Sequence, residues 1–155
     1  MFGPVYCSCV TEEAGNFDQK GTGMEKQTVS SGTIWEKRYS YSRAVRCGDR
    51  IWVSGTTATG PSGEVVGRGD AAEQAHYIFD KIEKVIVELG GTLADVVRTR
   101  IFVSSMKHWE AVAAVHGERF AAIRPANTLV EARLVGEEYL VEIEAEAIVG
   151  AGSAL

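Results

Sequence analysis

From Leu140 to Ala147 the chain alternates without a break. Val141, Ile143, Ala145 and Ala147 fall on one parity, and Leu140, Glu142, Glu144 and Glu146 fall on the other. Successive strand residues project to opposite faces, so this pattern predicts a strand with one face in a core and an acidic face turned away from it. Wound as a helix, the same residues would mix the glutamates with the apolar positions and leave no continuous stripe to bury. A second layer must therefore cover the apolar face.

The sequence supplies two helices for that layer. Asp70 is a suitable N-cap, with Glu73 at the capping-box position, and Ala75, Ile78, Phe79, Ile82, Val85, Ile86 and Leu89 then recur every three or four residues. Gly90-Gly91 supplies the left-handed stop. A second helix fits residues 106–121, with Trp109, Val112, Ala113, His116 and Phe120 on one stripe and Arg124-Pro125 as its end. His116 on that stripe reads as a half-buried structural histidine.

Further strands are predicted around a Gly48-Asp49 turn (residues 42–46 and 51–54), at Glu64 to Val66, at Val96 to Val103, at Thr128 to Val135, and at Tyr139 to Val149. The order predicts an α+β fold with both helices on one face of a mixed sheet. If Val135 pairs with Leu140 across Gly136-Glu137-Glu138, Arg133 falls opposite Glu142, Glu131 opposite Glu144 and Leu129 opposite Glu146, with Asn127 at the far end of the same polar face. Arg98 and Arg100 belong to that face as well, leaving Ile101 and Val103 for the helix side. On this register Glu142 is one member of an ion-pair ladder. Leu129, Leu140 and Phe102 interrupt the polar band, as expected where another copy covers it in a symmetric oligomer.

A chain of 155 residues suits one domain. We read residues 1–23, rich in Gly, Ser and Thr, as an extension, residues 24–150 as a single domain and residues 151–155 as a tail. A net charge of −5 argues against a broad basic surface for nucleic acid. No apolar run reaches the ~18–20 residues of a membrane span, and the first residues lack a secretory pattern, so the default compartment is cytoplasmic. Cys7, Cys9 and Cys47, with His76, His108 and His116, form neither a disulfide framework nor a metal-ligand spacing, so no metal is expected.

Arg43-Ala44-Val45 leads into Ile51-Trp52-Val53-Ser54-Gly55, followed by Gln74 to Phe79 on a helix, Asp95 to Val103, Arg124-Pro125-Ala126 and Val141-Glu142-Ile143-Glu144-Ala145. Over about residues 40–149 this succession resembles the RidA/YjgF family of reactive intermediate deaminases, some members of which carry the names endoribonuclease L-PSP or translation initiation inhibitor. The resemblance implies a chorismate-mutase-like α+β fold assembled as a homotrimer, with the sheets forming an internal barrel and ligand clefts between subunits. It also implies hydrolysis of an enamine or imine to a 2-keto acid and ammonia, with no metal and no organic cofactor.

Residue by residue, Tyr41 falls on the family's cleft tyrosine, Ser54 and Gly55 on the strand end that lines the pocket, and Glu142 on the glutamate that orients the hydrolytic water. Two positions depart. Asn127 stands where deaminase members have an arginine that clamps the substrate carboxylate through two parallel bonds, and Leu129 replaces a common cysteine. Arg43 and Lys107 are the candidate replacements for the missing cation. The resemblance thus predicts grooves between copies, with Tyr41 from one and Asn127 with Glu142 from its neighbour, binding a small carboxylate or imine. A trimer that binds ligands without turnover is the alternative. Single-strand RNA cleavage ranks last, because the chain has no basic-aromatic stretch.

Overall fold

The computed structural model describes residues 25–154, so the expected extension over residues 1–23 lies outside the described residues. Six strands form one sheet: β1 (Lys26–Val29), β2 (Ala44–Cys47), β3 (Arg50–Thr57), β4 (Val96–Val103), β5 (Ala126–Glu131) and β6 (Val141–Ile148), in the spatial order β1-β2-β3-β6-β4-β5. Two helices, α2 (Ala71–Glu88) and α3 (Trp109–Arg119), form the second layer; a short helix, α1 (Ile34–Tyr39), lies between β1 and β2 in the chain. No helix among the described residues is long and apolar enough to cross a membrane.

The alternation in β6 is realised as expected. Val141, Ile143, Ala145 and Ala147 are buried, whereas Glu142, Glu144 and Glu146 are partly exposed. Against the apolar side pack Ile78, Phe79, Ile82 and Ile86 of α2, all fully buried, with Phe79 meeting Phe120 edge to face at 5.4 Å. Each such side chain removed from water contributes about 1.5–3 kcal/mol. Asp70 caps α2 by accepting from the Ala72 and Glu73 amides. On α3 the buried residues are Val112 and Val115, followed by Phe120; Trp109 is 45% exposed and does not belong to the stripe assigned to it. Glu64 to Val66 forms only one bridge, Thr59 to Val65, rather than a strand.

The expected hairpin of the last two strands does not form. β5 runs parallel to β4, and β6 inserts between β3 and β4, antiparallel to both. The physical reason is the crossover. A strand followed by a helix laid back along the sheet can only return in the direction it started, so α3 delivers β5 parallel to β4. The segment from Ala132 to Leu140 then carries the chain round to the sheet's centre. Arg133 is consequently not opposite Glu142; Thr57 and Phe102 are. Arg100 takes the role in the charge ladder, 2.8 Å from Glu144 and 3.6 Å from Glu146. Half exposed, those pairs contribute about 0–1 kcal/mol.

The chain after β6 is tied down by one buried carboxylate. Asp95 accepts from the Thr92 amide and hydroxyl and from the Gly150 and Gly152 amides, at 2.8–3.0 Å. Burial alone would raise its pKa, but the bonds from Gly152, Thr92 and Gly150 together outweigh that and hold it below the ordinary carboxylate value. A depressed folded pKa gives stability that is present above the unfolded pKa and lost as pH falls through the folded one. Asp95→Ala is expected to cost about 2–3 kcal/mol in urea unfolding at neutral pH, with a smaller difference from wild type in acid. Equal midpoints at neutral pH would show that these four bonds carry no net stability.

Candidate functional site

β3 and β6 do not pair evenly. Val53 faces Ala145 and Thr56 faces Ile143, so Ser54 and Gly55 together oppose the single residue Glu144. This bulge bends β3 and lets Thr57 sit opposite Glu142 on the outer face. Gly55 has no side chain to fill the space created: a Cβ there would lie 2.1 Å from Glu142 Oε1. The carboxylate therefore rests directly on the Gly55 backbone.

Beside it opens a cavity of about 430 Å³. Its floor is Arg43, Gly55, Thr57, Thr59, Lys81 and Glu142; its walls are Trp35, Tyr39, Tyr41 and Tyr139. Arg43 is 8% exposed, donates from Nη2 to the Gly55 carbonyl at 2.8 Å and lies 5.8 Å from the centre of the Tyr41 ring. Lys81 reaches up from α2 and donates from Nζ to the Thr57 and Thr59 carbonyls at 3.0 and 2.9 Å. A hydroxyl chain, Thr57 to Thr59 to Tyr139, runs along one side at 3.0 and 2.9 Å.

α1 owes its place to Glu36, a buried acid that accepts from the hydroxyls of Ser30 and Ser31 and from the Ser31 amide at 3.0 Å. Ser40 closes the helix in the left-handed region, with φ 56°. Outside glycine that conformation costs about 1–2 kcal/mol, and it is what turns Tyr41 toward the cavity.

Electrostatics divide the floor. Burial, then the neighbouring Glu144, raises the pKa of Glu142, and Arg43 opposes them. Burial, then the like charge of Arg43, lowers Lys81 to about 8. A carboxylate with raised basicity beside two desolvated cations is an arrangement for activating a water next to a bound anion.

Four of the residues singled out from sequence share this cavity: Tyr41, Arg43, Gly55 and Glu142. Ser54 lies one residue away, where its hydroxyl donates to the Ser42 carbonyl at 2.8 Å and fastens β3 to the segment bearing Tyr41. Tyr41 and Glu142 of the same chain both line this cavity. Asn127, Leu129 and Lys107 do not line the cavity. Leu129 packs against the core beside Ile101, and Lys107 is exposed in the turn before α3. Asn127, on edge strand β5, donates from Nδ2 to Thr99 Oγ1 at 2.8 Å, and Thr99 is bonded in turn to His116 Nε2 at 2.9 Å. One of the two Asn127 amide N–H donors is thus used within its own chain.

Sequence reasoning missed Lys81, Trp35, Tyr39, Thr57, Thr59 and Tyr139. Lys81 had a readable signal: it sits three residues after Ile78 and four before Val85, at the border of the buried stripe of α2.

The fit between Gly55 and Glu142 is directly testable. Gly55→Ala should push the flexible carboxylate aside rather than break the strand, so we expect turnover to fall at least about tenfold with little change in thermal midpoint, since a misplaced reacting group costs more than its contacts suggest. Retained turnover would show that this contact positions nothing.

The endoribonuclease L-PSP family model matches residues 35–149. An uncharacterised Streptomyces coelicolor protein is 37% identical over 132 residues, covering 84% of this chain and 97% of its own. A RutC family protein of Pyrococcus abyssi is 32% identical over 123 residues, covering 79% and 96%. Among solved structures, a Mycobacterium tuberculosis member of the YjgF/YER057c/UK114 family superposes with a TM-score of 0.73 at 42% identity, covering 81% of this chain and all of that one. A Neisseria meningitidis member of the YjgF family gives 0.69 at 28% identity, covering 82% and 97%.

Proposed function

The chain belongs to the endoribonuclease L-PSP family, the YjgF/RutC group, and from that premise we propose that it hydrolyses reactive 2-imino acids, or their enamine tautomers, to 2-keto acids and ammonia. The observation that carries the reading is Glu142, a carboxylate of raised pKa with no ion-pair partner among the described residues, set in a cavity with Arg43 and Lys81. Glu142 takes a proton from water as the water oxygen bonds to the imine carbon and the C=N π pair moves to nitrogen. The same proton passes to the nitrogen, giving the neutral carbinolamine. Glu142 then takes the carbinolamine's hydroxyl proton and passes it to the nitrogen as the carbon–nitrogen bond breaks, so that ammonia leaves and the carbonyl forms. The cations hold the substrate carboxylate, and the hydroxyls of Thr57, Thr59 and Tyr139 offer bonds to the leaving nitrogen. The cavity lining contains no histidine, which disfavours the RNA-cleaving activity in the family's name.

The same reading includes a homotrimer. Trp52 and Val130, both on the outer sheet face, are 40% and 42% exposed, and a neighbour's sheet would cover them. Such an assembly has three times the 16.7 kDa chain mass in sedimentation.

The test supplies an amino acid oxidase with its substrate, so that a 2-imino acid forms in the tube, and follows ammonia. Faster release with the protein present supports hydrolysis. If release is unchanged over a panel of amino acids while keto acids still raise the melting temperature, the protein is a binder and the proposal fails.

A further inference from the structure

Arg43 and Lys81 bring two positive charges to the cavity floor, and no carboxylate among the described residues lies within ion-pair distance of either. Arg43 is more than nine-tenths buried, and its Nε is the one buried side-chain nitrogen or oxygen without a hydrogen-bond partner among the described residues. A buried donor left unmet is costly, more so on a charged group, and such a group in a cavity points to an acceptor that arrives with a ligand. Lys81 uses two of its three N–H bonds on Thr57 and Thr59, leaving one for the same acceptor.

Above this charged floor the wall is aromatic. Trp35 and Tyr39 stack with ring centres 6.0 Å apart and planes 4° from parallel. With Tyr41 they are 40–62% exposed, and Val135 at 85% continues the apolar rim. Large aromatic residues in water around a polar floor mark a site for an amphipathic ligand. An imino acid bearing only a methyl side chain would satisfy the cations but touch little of this wall.

We propose that the cavity is selective for aromatic 2-imino and 2-keto acids, with Arg43 and Lys81 holding the carboxylate, Trp35, Tyr39 and Tyr41 holding the ring, and the reacting carbon between them beside Glu142. Lys81, on α2, replaces the cation expected from another part of the chain. This rests on the hydrolytic reading only for the identity of the ligand's functional group; the binding preference stands or falls alone.

The experiment is calorimetric titration of the full-length protein with phenylpyruvate, with pyruvate (carboxylate without ring) and with phenylacetone (ring without carboxylate). Wild type should bind phenylpyruvate at least about tenfold more tightly than either. Lys81→Met should lose about tenfold for phenylpyruvate and nothing for phenylacetone, and Lys81→Arg, which keeps charge and donors, should recover most of the loss. Trp35→Ala, at an exposed position, should weaken phenylpyruvate about tenfold and leave pyruvate unchanged. Equal affinity for pyruvate and phenylpyruvate overturns the proposal. So does a Lys81→Met variant that loses as much affinity for phenylacetone, relative to wild type, as it loses for phenylpyruvate, since the lysine would then only support the fold. Tight phenylpyruvate binding without ammonia release defeats hydrolysis and leaves this inference intact; turnover confined to small imines does the reverse.

Discussion

Glu142→Gln is expected to lower kcat for imine hydrolysis by about 10²–10⁴-fold, the range for removing a general base. The substitution keeps shape and length, so the space against Gly55 stays filled, and it removes the repulsion from Glu144; folding and keto acid binding should hold. The pH profile gives a second measurement. Glu142 must be ionised to accept a proton, and its pKa lies above the ordinary 4.5 because burial and Glu144 outweigh Arg43. Wild-type kcat should therefore rise with pH through a limb displaced above the usual carboxylate range, and the glutamine variant should lack that limb. A variant keeping more than about a tenth of wild-type kcat would remove Glu142 from the chemistry.

The largest structural effect is expected at Gln74. Its side chain is fully buried on α2, donates to the Gly67 and Glu138 carbonyls at 3.2 and 2.9 Å, and accepts from the Leu140 amide at 2.8 Å. One amide thus pins the loop entering α2 to Glu138 and Leu140, just ahead of β6. Gln74→Leu conserves volume but leaves the Glu138 carbonyl and the Leu140 amide without partners, the Gly67 carbonyl still accepting from the Asp70 amide, and at about 1–3 kcal/mol for each buried group left unmet the expected loss is about 2–6 kcal/mol. Because Tyr139 and Glu142 flank that anchor, activity should fall before the protein unfolds. A urea midpoint within error of wild type would show that the loop rehydrates freely.

What the sequence disclosed followed the range of the physical signal. The period of two in β6 and the three- and four-residue spacing in α2 are local, strong and self-consistent, and both elements formed where expected, with Glu142 on the outer face. Strand partnership is non-local. Chain adjacency suggested a hairpin for the last two strands, although the succession of β4, α3 and β5 already contained the parallel solution. α1 spans six residues, too few for periodicity, and its signature Thr33-Ile34-Trp35-Glu36 has the spacing of a capping box; Glu36 instead serves Ser30 and Ser31. Of the candidate site, Tyr41, Arg43, Gly55 and Glu142 were visible. The rest was hidden because residues such as Lys81 and Tyr139 reach the cavity only through tertiary packing.

The uneven pairing at Ser54 and Gly55 sets how this stretch tolerates editing. Losing one codon there would give β3 and β6 a flawless ladder, a more regular sheet by every local criterion. Thr57 would still face Glu142, but either the Gly55 carbonyl that accepts from Arg43 or the Ser54 hydroxyl that fastens β3 to the segment bearing Tyr41 would be lost. The bend that seats the Glu142 carboxylate against Gly55 would go with it. Length changes here should therefore yield well-folded, inert protein, whereas length changes in the exposed Pro61-Ser62-Gly63 turn should leave the chemistry alone.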